Sequence, residues 1–547
     1  MTDAQTLSYD AGPTDVPLLD ETIGACLARA ASTWRDREAL VARHQGVRYT
    51  YGELDAATEE LARGLIALGL DPGDRLGIWS PNYAEWVLIQ LATARIGVIL
   101  VTINPAYRTN ELEYALNQST CRTLIAAPSF KTSDYRAMVA EVRPRTPALE
   151  HVIHLWSAEW DELLDIARTV SRDQLARRER SLSPDDAINI QYTSGTTGFP
   201  KGATLTHRNI LNNAYFVGRG CGYRHTDRVC IPVPFYHCFG MVMGNLGCLT
   251  HGATMVVPSD SFDPGAVLAA VSEEGCTSLY GVPTMFIAEL GHPDFDSFDL
   301  SSLRTGIMAG SSCPVEVMKQ CIERMGIGDV TICYGMTETS PVSTQTGPDD
   351  DIDHRCATVG RVHPHVEIRI VDPETGDVVP RGTAGEFCTR GYSVMKGYWD
   401  DPERTAEAID AEGWMHTGDL ATMDDDGYVN IVGRIKDMII RGGENVYPRE
   451  VEEFLHSHPD IVDVQVIGVP DPRYGEAVMA WVQAREGSTL TEDDVTGYCR
   501  ERIAHFKVPH YVKLVDGFPM TVTGKVQKYL MRQTSMDELG LTEEVTA

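Results

Sequence analysis

The sequence predicts an α/β protein in which a large N-terminal domain of helix-covered sheets precedes a small, mobile α+β domain. From about residue 20 to about residue 430, strand-like apolar runs alternate with segments of helical period, the pattern that builds parallel sheets covered by helices. Near residue 433, Asp-rich and Gly-rich segments interrupt this alternation and favour a flexible junction. We therefore place the two domains at residues 1–433 and 434–547.

The first helix-strand unit shows how these elements are predicted. Residues 51–70 carry Leu and Ala at steps of three and four, as one face of a buried helix requires. The following Asp-Pro-Gly-Asp run at 71–74 ends that helix, and the apolar run 75–79 predicts a strand. A helix over 83–95 and a strand over 98–103 repeat the unit.

Later elements follow the same alternation up to the junction and then change character. Strands are predicted over 187–191 and 330–334, and a helix begins at residue 207. Beyond the junction, helices over 449–456 and 492–505 and strands over 464–469 and 511–515 make a small α+β unit. The final dozen residues, rich in Glu and Thr, predict a frayed end.

Length, charge and cysteine use restrict the class of protein. A chain of 547 residues calls for at least two domains, and a net charge of −31 disfavours nucleic acid as the main partner. Thirteen single Cys without a CxxC pair predict free thiols in a reducing compartment. Residues 1–19 contain three Asp and no Lys or Arg, and no apolar run is long enough for a membrane span. We therefore predict a cytoplasmic protein without an integral membrane segment, compatible with a homodimer.

The most informative segment, at 192–202, reads Tyr-Thr-Ser-Gly-Thr-Thr-Gly-Phe-Pro-Lys-Gly. Glycines let backbone N–H groups turn toward an anion, hydroxyls add donors and a lysine adds positive charge, as a polyphosphate requires. The GxxxxGK[ST] phosphate loop is excluded, because Pro200 stands where its second Gly belongs and Gly202 where it needs Ser or Thr. The candidate ATP-phosphate ligands are Thr193, Ser194, Gly195, Thr196, Thr197, Gly198 and Lys201.

This loop resembles the signature of the adenylate-forming (AMP-binding) superfamily, which includes acyl-CoA synthetases, firefly-type luciferases and peptide-synthetase adenylation domains. Further motifs of that superfamily occur in the expected order, and the resemblance covers about residues 20 to 535. It implies the adenylate-forming enzyme fold. The motifs are Tyr334-Gly-Met-Thr-Glu338, Trp414-Met-His-Thr-Gly-Asp419, Gly433-Arg-Ile-Lys-Asp437, Arg441-Gly-Gly-Glu-Asn445 and Thr523-Gly-Lys525.

The resemblance implies a role for each residue of the nucleotide site. Glu338, a carboxylate beside a phosphate loop, is the expected Mg²⁺ ligand, and Thr337 is expected to contact the α-phosphate. The adenine ring is expected between Tyr334 and the loosely matching run at Gly310 and Ser311. A fixed carboxylate can accept two hydroxyl hydrogen bonds, so Asp419 together with Arg434 is expected at the ribose.

The same resemblance implies how the C-terminal domain takes part. Lys525 is expected to bridge the attacking carboxylate and the α-phosphate, offsetting negative charge as the acyl adenylate forms. Lys436 falls at the hinge position between the domains. Gly442 and Gly443, which lack side chains, are expected to leave room for the pantetheine arm of CoA in the second step.

The acid to be activated is predicted from the segments that line the acyl pocket in the family. Residues 234–247 are aromatic, Met-rich and Gly-spaced, with His237 near the carboxylate; 280–286 and 307–308 add apolar surface without an evident cation. An apolar monocarboxylate follows, and the whole sequence looks most like medium-chain fatty acyl-CoA synthetases. The predicted activity is therefore an ATP- and Mg²⁺-dependent acid:CoA ligase.

Two alternatives stay open within this class. One is an aryl acid such as a benzoate, because a flat aromatic ring can pack against the same apolar side chains. An adenylation enzyme that loads a separate carrier protein is the other alternative, whereas a luciferase-like oxygenase is disfavoured as a rare outcome. A non-catalytic nucleotide-binding protein is disfavoured because the charged motif residues Lys201, Glu338, Asp419, Arg434 and Lys525 are all present.

Overall fold

A computed structural model describes residues 6–193, 200–311, 313–441, 444–500, 502–521 and 525–541. The described strands, in chain order, are β1 Tyr9–Ala11, β2 Glu38–Ala42, β3 Val47–Thr50, β4 Arg75–Trp79, β5 Ile99–Ile103, β6 Thr123–Ala126, β7 Ser129–Phe130, β8 Ser133–Asp134, β9 His151–His154, β10 Ala187–Thr193, β11 Lys201–Thr206, β12 Arg228–Cys230, β13 Thr254–Val257, β14 Ser278–Gly281, β15 Thr305–Ala309, β16 Asp329–Gly335, β17 Val342–Gln345, β18 Arg361–Val362, β19 Val366–Val371, β20 Gly385–Gly391, β21 Gly397–Tyr398, β22 Met415–Met423, β23 Val429–Arg434, β24 Ile439–Arg441, β25 Glu444–Val446, β26 Ile461–Asp471, β27 Gly475–Ala484 and β28 Tyr511–Leu514.

The helices pack on these strands. In chain order they are α1 Ile23–Thr33, α2 Tyr51–Ala67, α3 Ala84–Ile96, α4 Thr109–Gln118, α5 Tyr135–Val142, α6 Ala158–Ile166, α7 Arg172–Arg180, α8 His207–Gly220, α9 Gly247–His251, α10 Pro264–Glu274, α11 Pro283–Leu290, α12 Val315–Met325, α13 Ile352–Ala357, α14 Pro402–Ala408, α15 Pro448–His456, α16 Glu492–Cys499 and α17 Lys528–Leu539. A π-helix, Phe239–Leu246, runs directly into α9.

Two large sheets, one smaller sheet and the two-stranded hairpin β7-β8 form the described part of the chain before residue 435. One has seven strands in the order β21-β11-β10-β5-β4-β6-β9, and the other has nine in the order β18-β17-β16-β15-β14-β12-β13-β2-β3. Their central pairings, such as β4 with β5 and β14 with β15, are parallel, as the helix-strand alternation predicts. The five-stranded antiparallel sheet β1-β19-β20-β22-β23 completes this part.

The first helix-strand unit is confirmed in type and corrected at its ends. Thr50 caps α2 through a capping box with Glu53, which fixes the start at Tyr51. The helix ends at Ala67, three residues before the predicted end, and Asp71 and Asp74 then bond to each other across the turn. Strand β4 has the predicted bounds, and β5 begins one residue later than expected.

The residues after 438 form a sheet of their own in the order β25-β24-β27-β26, with β28 beside β27. Helix α15 packs against β26 and buries Val451 and Leu455 in a separate apolar cluster. The prediction of a helix over 492–505 is wrong in length, because Arg500 leaves helical geometry at ψ 137. Ile503 and Phe506 instead fold onto the same cluster.

All thirteen cysteines are buried free thiols, as the single spacing predicts. Within the described residues, no helix combines the length and apolar character that a bilayer-spanning segment needs.

Candidate active site

The site is built where two parallel strands of the nine-stranded sheet end side by side. Ala309 of β15 lies opposite Cys333 of β16, so the residues that follow each strand meet at one sheet edge. Gly310 takes φ +92, a conformation that favours glycine, and with Ser311 it is exposed at this edge. Tyr334 lies on the neighbouring strand, so the two sides of the predicted adenine slot adjoin.

A carboxylate between a phenol and a guanidinium lies beside this edge. Asp419 on β22 pairs in register with Arg434 on β23, and its Oδ1 accepts from Arg434 Nε at 3.0 Å. Its Oδ2 accepts from the Tyr334 hydroxyl at 2.8 Å. Burial, and next the Asp419 charge, raises the pKa of Tyr334 well above its ordinary value, so the phenol keeps its proton. Each Asp419 oxygen retains a lone pair for a further hydroxyl donor.

A second carboxylate, Glu338, is buried at 4% exposure in the turn Thr337–Thr339. Its Oε1 accepts from the Tyr398 hydroxyl at 2.8 Å and from Thr193 Oγ1 at 3.3 Å. Among the residues that the structure describes, no cation pairs with it. A buried carboxylate held only by neutral hydroxyls carries uncompensated charge, which a bound cation can offset.

Thr193 and Lys201 flank the segment that the sequence predicts to be a phosphate loop. They lie opposite each other where β10 and β11 pair, and the Lys201 ammonium lies 4.9 Å from the centre of the Tyr398 ring. The predicted loop ligands Ser194, Gly195, Thr196, Thr197 and Gly198 lie outside the described residues.

His237 and Cys238 approach the same region from the start of the π-helix. The Cys238 thiol donates to Gln191 Oε1 at 3.1 Å, and the Glu338 charge adds to burial in raising the thiol pKa. Burial, and next the positive charge of Lys525, lowers the pKa of His237 to about 4, so its imidazole is neutral near pH 7.

Lys525 reaches the site from the far end of the chain. Burial, and next the Arg434 guanidinium, lowers the Lys525 pKa to about 8, with Asp419 acting in the opposite direction. Lys525 and His237 both keep solvent-exposed surface. The Lys525 backbone is fixed by two hydrogen bonds to Thr521, at 2.7 and 3.1 Å.

The predicted hinge residue lies within the described residues, and the predicted pantetheine glycines do not. Lys436 lies in the turn Ile435–Asp437, between the last strand of one sheet and the first strand of the next, and burial lowers its pKa. Gly442 and Gly443 lie outside the described residues.

The predicted acyl wall is divided by the structure. Phe239 and Tyr280 contact each other, with ring centres 5.5 Å apart, and share one apolar cluster with Ile307. Phe286 and Met308 belong to a different cluster, so their prediction as pocket lining is wrong. Ile307 and Met308 are consecutive on β15 and therefore point to opposite faces of the sheet.

The glycine spacing in the π-helix serves close contact. A Cβ at Gly240 would lie 2.4 Å from the Pro234 carbonyl oxygen, and one at Gly244 would lie 3.0 Å from the Ile231 side chain. The π-helix is fixed from outside by Tyr280, whose hydroxyl donates to the Met243 carbonyl at 3.1 Å. Such π-turns are rare and occur often at functional sites.

Sequence reasoning missed Tyr398 and Tyr223. Tyr398 contacts Glu338, and Tyr223 donates to the Tyr280 hydroxyl at 2.8 Å. The only local signal for Tyr398 was its place after Gly397, whereas nothing near Tyr223 indicated a partner 57 residues away.

A Glu-Cys-His group lies across β20 and β22, the strand that carries Asp419, and has a simpler explanation than a metal. His416 Nδ1 lies 2.9 Å from Glu386 Oε2 and 3.4 Å from Cys388 Sγ. Hydrogen bonding to Cys388, and next to Glu386, raises the pKa of His416 to about 10. The proton on His416 Nδ1 therefore accounts for the close approach of Glu386 and Cys388 without a metal ion.

The fold, with the Asp419 and Glu338 carboxylates at its sheet edge, is that of an adenylate-forming enzyme. Comparison with known proteins gives the family. The AMP-binding enzyme family matches residues 27–399, and the AMP-binding enzyme C-terminal domain matches residues 450–525. The chain belongs to the AMP-binding enzyme family.

Named relatives align along almost the whole chain. The putative acyl-CoA synthetase YngI of Bacillus subtilis is 48% identical over 96% of this chain and 99% of that protein. The mitochondrial medium-chain acyl-CoA ligase ACSF2 of Danio rerio is 46% identical over 98% of this chain and 92% of that protein. The anthranilate CoA ligase AuaEII, solved with anthranoyl-AMP, superposes with a TM-score of 0.86 at 27% identity, covering 96% of this chain and 99% of that chain.

Proposed function

We propose that the protein is an ATP-dependent acid:CoA ligase that activates a medium-chain fatty acid. The acid first forms an acyl adenylate with release of pyrophosphate, and CoA then takes the acyl group with release of AMP. The observation that carries the proposal is the place of Lys525, within electrostatic reach of Asp419, Arg434 and His237. The relatives named acyl-CoA synthetase and medium-chain acyl-CoA ligase support the choice of thiol and acid.

The nucleotide is held from three sides. Asp419 accepts the ribose hydroxyls while Arg434 and Tyr334 keep its carboxylate oriented. The adenine ring lies between Tyr334 and the Gly310–Ser311 edge, where no Cβ at Gly310 obstructs its approach. Thr193 and Lys201 contact the phosphates, together with Thr337 at the α-phosphate.

Glu338 is the residue that holds Mg²⁺. Its buried charge has only hydroxyl partners among the described residues, and magnesium takes one or two carboxylates together with phosphate oxygens. An ion held there would supply positive charge beside the phosphates. The burial of Glu338 and its hydroxyl partners are therefore what support this role.

In the first step a carboxylate oxygen of the acid attacks the α-phosphorus, and the bond to the bridging oxygen of pyrophosphate breaks. The protonated Lys525 offsets the charge that develops on the α-phosphate and the attacking carboxylate. His237, neutral at pH 7, contacts the carboxylate without adding a competing cation. In the second step the CoA sulfur attacks the acyl carbon, and the bond to AMP breaks.

The second step needs different groups beside the same carbon. Lys525 must leave so that a thiol can approach, and the turn at Lys436 connects the two sheets that have to move relative to each other. Gly442 and Gly443 then border the pantetheine arm. Hinge motion, the domain boundary at 433/434 and the pantetheine contact are all parts of this proposal.

The acyl site is an apolar wall formed by the π-helix, Tyr280 and Ile307. A fatty acyl chain is favoured by this wall and by the medium-chain relative. The aryl-acid alternative has support from the solved anthranilate CoA ligase, whose ligand is an aromatic adenylate. A cytoplasmic location is part of the proposal and is supported by the free thiols, which a reducing compartment preserves, whereas the ACSF2 relatives are named mitochondrial.

The test measures AMP and pyrophosphate release with ATP and Mg²⁺ over straight-chain and aromatic acids, each with and without CoA. We expect CoA-dependent AMP release that is greatest on medium chains. Greatest release on aromatic acids would replace the proposed substrate with the aryl alternative. Pyrophosphate exchange without CoA-dependent turnover would indicate a carrier protein as the acyl acceptor.

A further inference from the structure

Among the residues that the structure describes, Tyr398 is the closest hydrogen-bond partner of the Glu338 carboxylate. Its hydroxyl donates to Oε1 at 2.8 Å, whereas Thr193 Oγ1 lies 3.3 Å from the same oxygen and also 3.5 Å from the Lys201 carbonyl. The Tyr398 bond has the length of a strong O–H···O interaction, and the Thr193 contact is long and shared. Orientation of Glu338 therefore depends mainly on Tyr398.

The phenol acts from a fixed backbone. Tyr398 on β21 pairs with Ala203 on β11, and Trp399 N–H donates to the Gly202 carbonyl at 2.7 Å. Three residues earlier, Met395 N–H donates to the main-chain carbonyl of Glu338 at 2.9 Å. The segment 395–399 is thus bonded both to the strand that leaves the phosphate loop and to the Glu338 turn.

The side chain is equally restrained. Tyr398 is only 8% exposed, and its N–H donates to Thr405 Oγ1 at 2.9 Å. Gly397 permits this fit, because its φ is +140 and a Cβ there would lie 2.7 Å from the Thr405 side chain. A ring held in this way loses little further entropy when it orients a neighbour.

One oxygen of Glu338 is left available. Among the residues that the structure describes, both hydrogen bonds to this carboxylate end on Oε1, and none reaches Oε2. The face of the same ring lies 4.9 Å from the Lys201 ammonium. Tyr398 therefore contacts two groups that the proposed function assigns to the metal and the phosphates.

We propose that Tyr398 is a positioning residue for the metal site: its hydroxyl holds Glu338 Oε1, which leaves Oε2 to ligate Mg²⁺, while its ring supports Lys201 beside the phosphates. The inference rests on the proposed function, because it takes Glu338 as the metal ligand. Partners of ligating carboxylates typically change metal affinity by about 10–100-fold when they are removed.

The test is direct metal binding without turnover. Mn²⁺ is titrated into the full-length protein with ATP and no acid, and free Mn²⁺ is measured by electron paramagnetic resonance. Tyr398→Phe keeps the ring and removes the hydroxyl, so we expect the Mn²⁺ dissociation constant to rise by about tenfold. Tyr398→Leu also removes the ring contact with Lys201, so it should weaken ATP binding further.

Tyr428→Phe is the matched control. Tyr428 is also 8% exposed, and its hydroxyl donates to another carboxylate, Asp350 Oδ1, at 2.6 Å. Loss of that bond should lower the melting temperature without moving Mn²⁺ affinity. An unchanged Mn²⁺ constant in Tyr398→Phe, with a melting shift like that of Tyr428→Phe, would overturn the inference and leave a structural hydrogen bond.

Glu338→Gln separates failure of the inference from failure of the proposed function. If Glu338→Gln leaves Mn²⁺ binding unchanged, Glu338 is not the ligand and both ideas fail. If Glu338→Gln weakens binding and Tyr398→Phe does not, only the positioning role fails. We expect Tyr398→Phe to have no added effect on Mn²⁺ affinity in the Glu338→Gln background, because Tyr398 acts through Glu338.

Discussion

Lys525 has an ammonium pKa of about 8 because the surrounding protein, and next the Arg434 guanidinium, disfavour its charged form. Asp419 offsets these two effects only in part. A bound polyanionic substrate would raise this pKa again, because negative charge favours the protonated form of Lys525. The lowered pKa makes the activity of Lys525 sensitive to alkaline pH.

We predict that kcat/KM of the adenylation half-reaction falls as pH rises above about 8. The free enzyme loses the Lys525 proton there, and kcat/KM reports free-enzyme ionisations. Pyrophosphate exchange measured across this range tests the prediction. Lys525→Arg, which keeps its charge, should show no such decline from this group, and a decline identical to that of the native enzyme would refute the assignment.

Glu289 is a buried acid that the proposed function does not use. It is fully buried, neither carboxyl oxygen has a hydrogen-bond partner in the described part of the chain, and burial raises its pKa well above the ordinary 4.5. It therefore stays protonated in the folded protein while the unfolded chain ionises above pH 4.5. Its contribution to folding is complete below that pH and is lost as pH rises toward the folded-state pKa.

We predict that Glu289→Gln removes a decline in unfolding free energy that begins as the pH rises above the ordinary Glu pKa of 4.5. Urea unfolding at several pH values measures it. The exposed Glu162 on α6 supplies the control, since Glu162→Gln should leave the native pH dependence intact. Parallel pH curves for native protein and Glu289→Gln would contradict the account.

At the scale of elements, the π-helix Phe239–Leu246 and Tyr280 form part of the proposed acyl wall, and a hydrogen bond joins them. The Tyr280 hydroxyl donates to Met243 and accepts from Tyr223, so the π-turn is held by a strand of the nine-stranded sheet. Tyr280→Phe should cost about 1–3 kcal/mol of stability. It should also raise KM for the fatty acid while KM for ATP stays unchanged.

Tyr51→Phe is the control for this change in steady-state kinetics. Tyr51 is fully buried and its hydroxyl donates to two carbonyls, those of Cys248 and Ala253. It should lose similar stability with no effect on KM for the acid. If KM for the fatty acid is the same in Tyr280→Phe as in Tyr51→Phe, the π-helix does not take part in acid binding.

Elements with a clear local pattern were predicted well, and contacts across the sheet were not. Helix α2 and strand β4 follow directly from periodicity and a turn signal. Motif residues such as Asp419 were identified as candidates, but their partners depend on register between distant strands. Tyr398 meets Glu338 across 60 residues, a juxtaposition that spacing along the chain does not encode.

The wrong elements have local physical causes. The helix predicted over 492–505 stops at Cys499 because the apolar residues after it are drawn onto the C-terminal core instead of continuing one helical face. Met308 was placed in the acyl wall because it adjoins Ile307, although consecutive strand residues face opposite ways. Tertiary burial decides both cases.

At the scale of the whole molecule, two hydrogen bonds connect residues on either side of the turn at Ile435–Asp437. Arg449 on α15 donates to the Ile431 carbonyl at 2.7 Å, and Glu453 accepts from Val315 N–H at 3.5 Å. Both contacts join the C-terminal sheet unit to the rest of the chain. In the proposed mechanism, they stabilise the arrangement in which adenylation takes place.

We predict that Arg449→Ala lowers the adenylation rate relative to the thioester-forming rate by about two- to tenfold, the effect of one hydrogen bond. Rapid-quench measurement of each half-reaction gives the ratio. Arg485→Ala is the control, because Arg485 bonds to Pro459 within the C-terminal unit. An unchanged ratio in Arg449→Ala would show that this contact does not set the balance between arrangements.

The most direct test of the account is to measure the two half-reactions separately in Lys525→Ala. We predict that acyl-adenylate formation falls by more than about a hundredfold, as for loss of a group that stabilises developing charge. Thioester formation from a supplied acyl adenylate and CoA should stay near the native rate, and Lys513→Ala, which breaks an ion pair with Glu538, should preserve both steps. Equal loss in both half-reactions of Lys525→Ala would contradict the role assigned to Lys525.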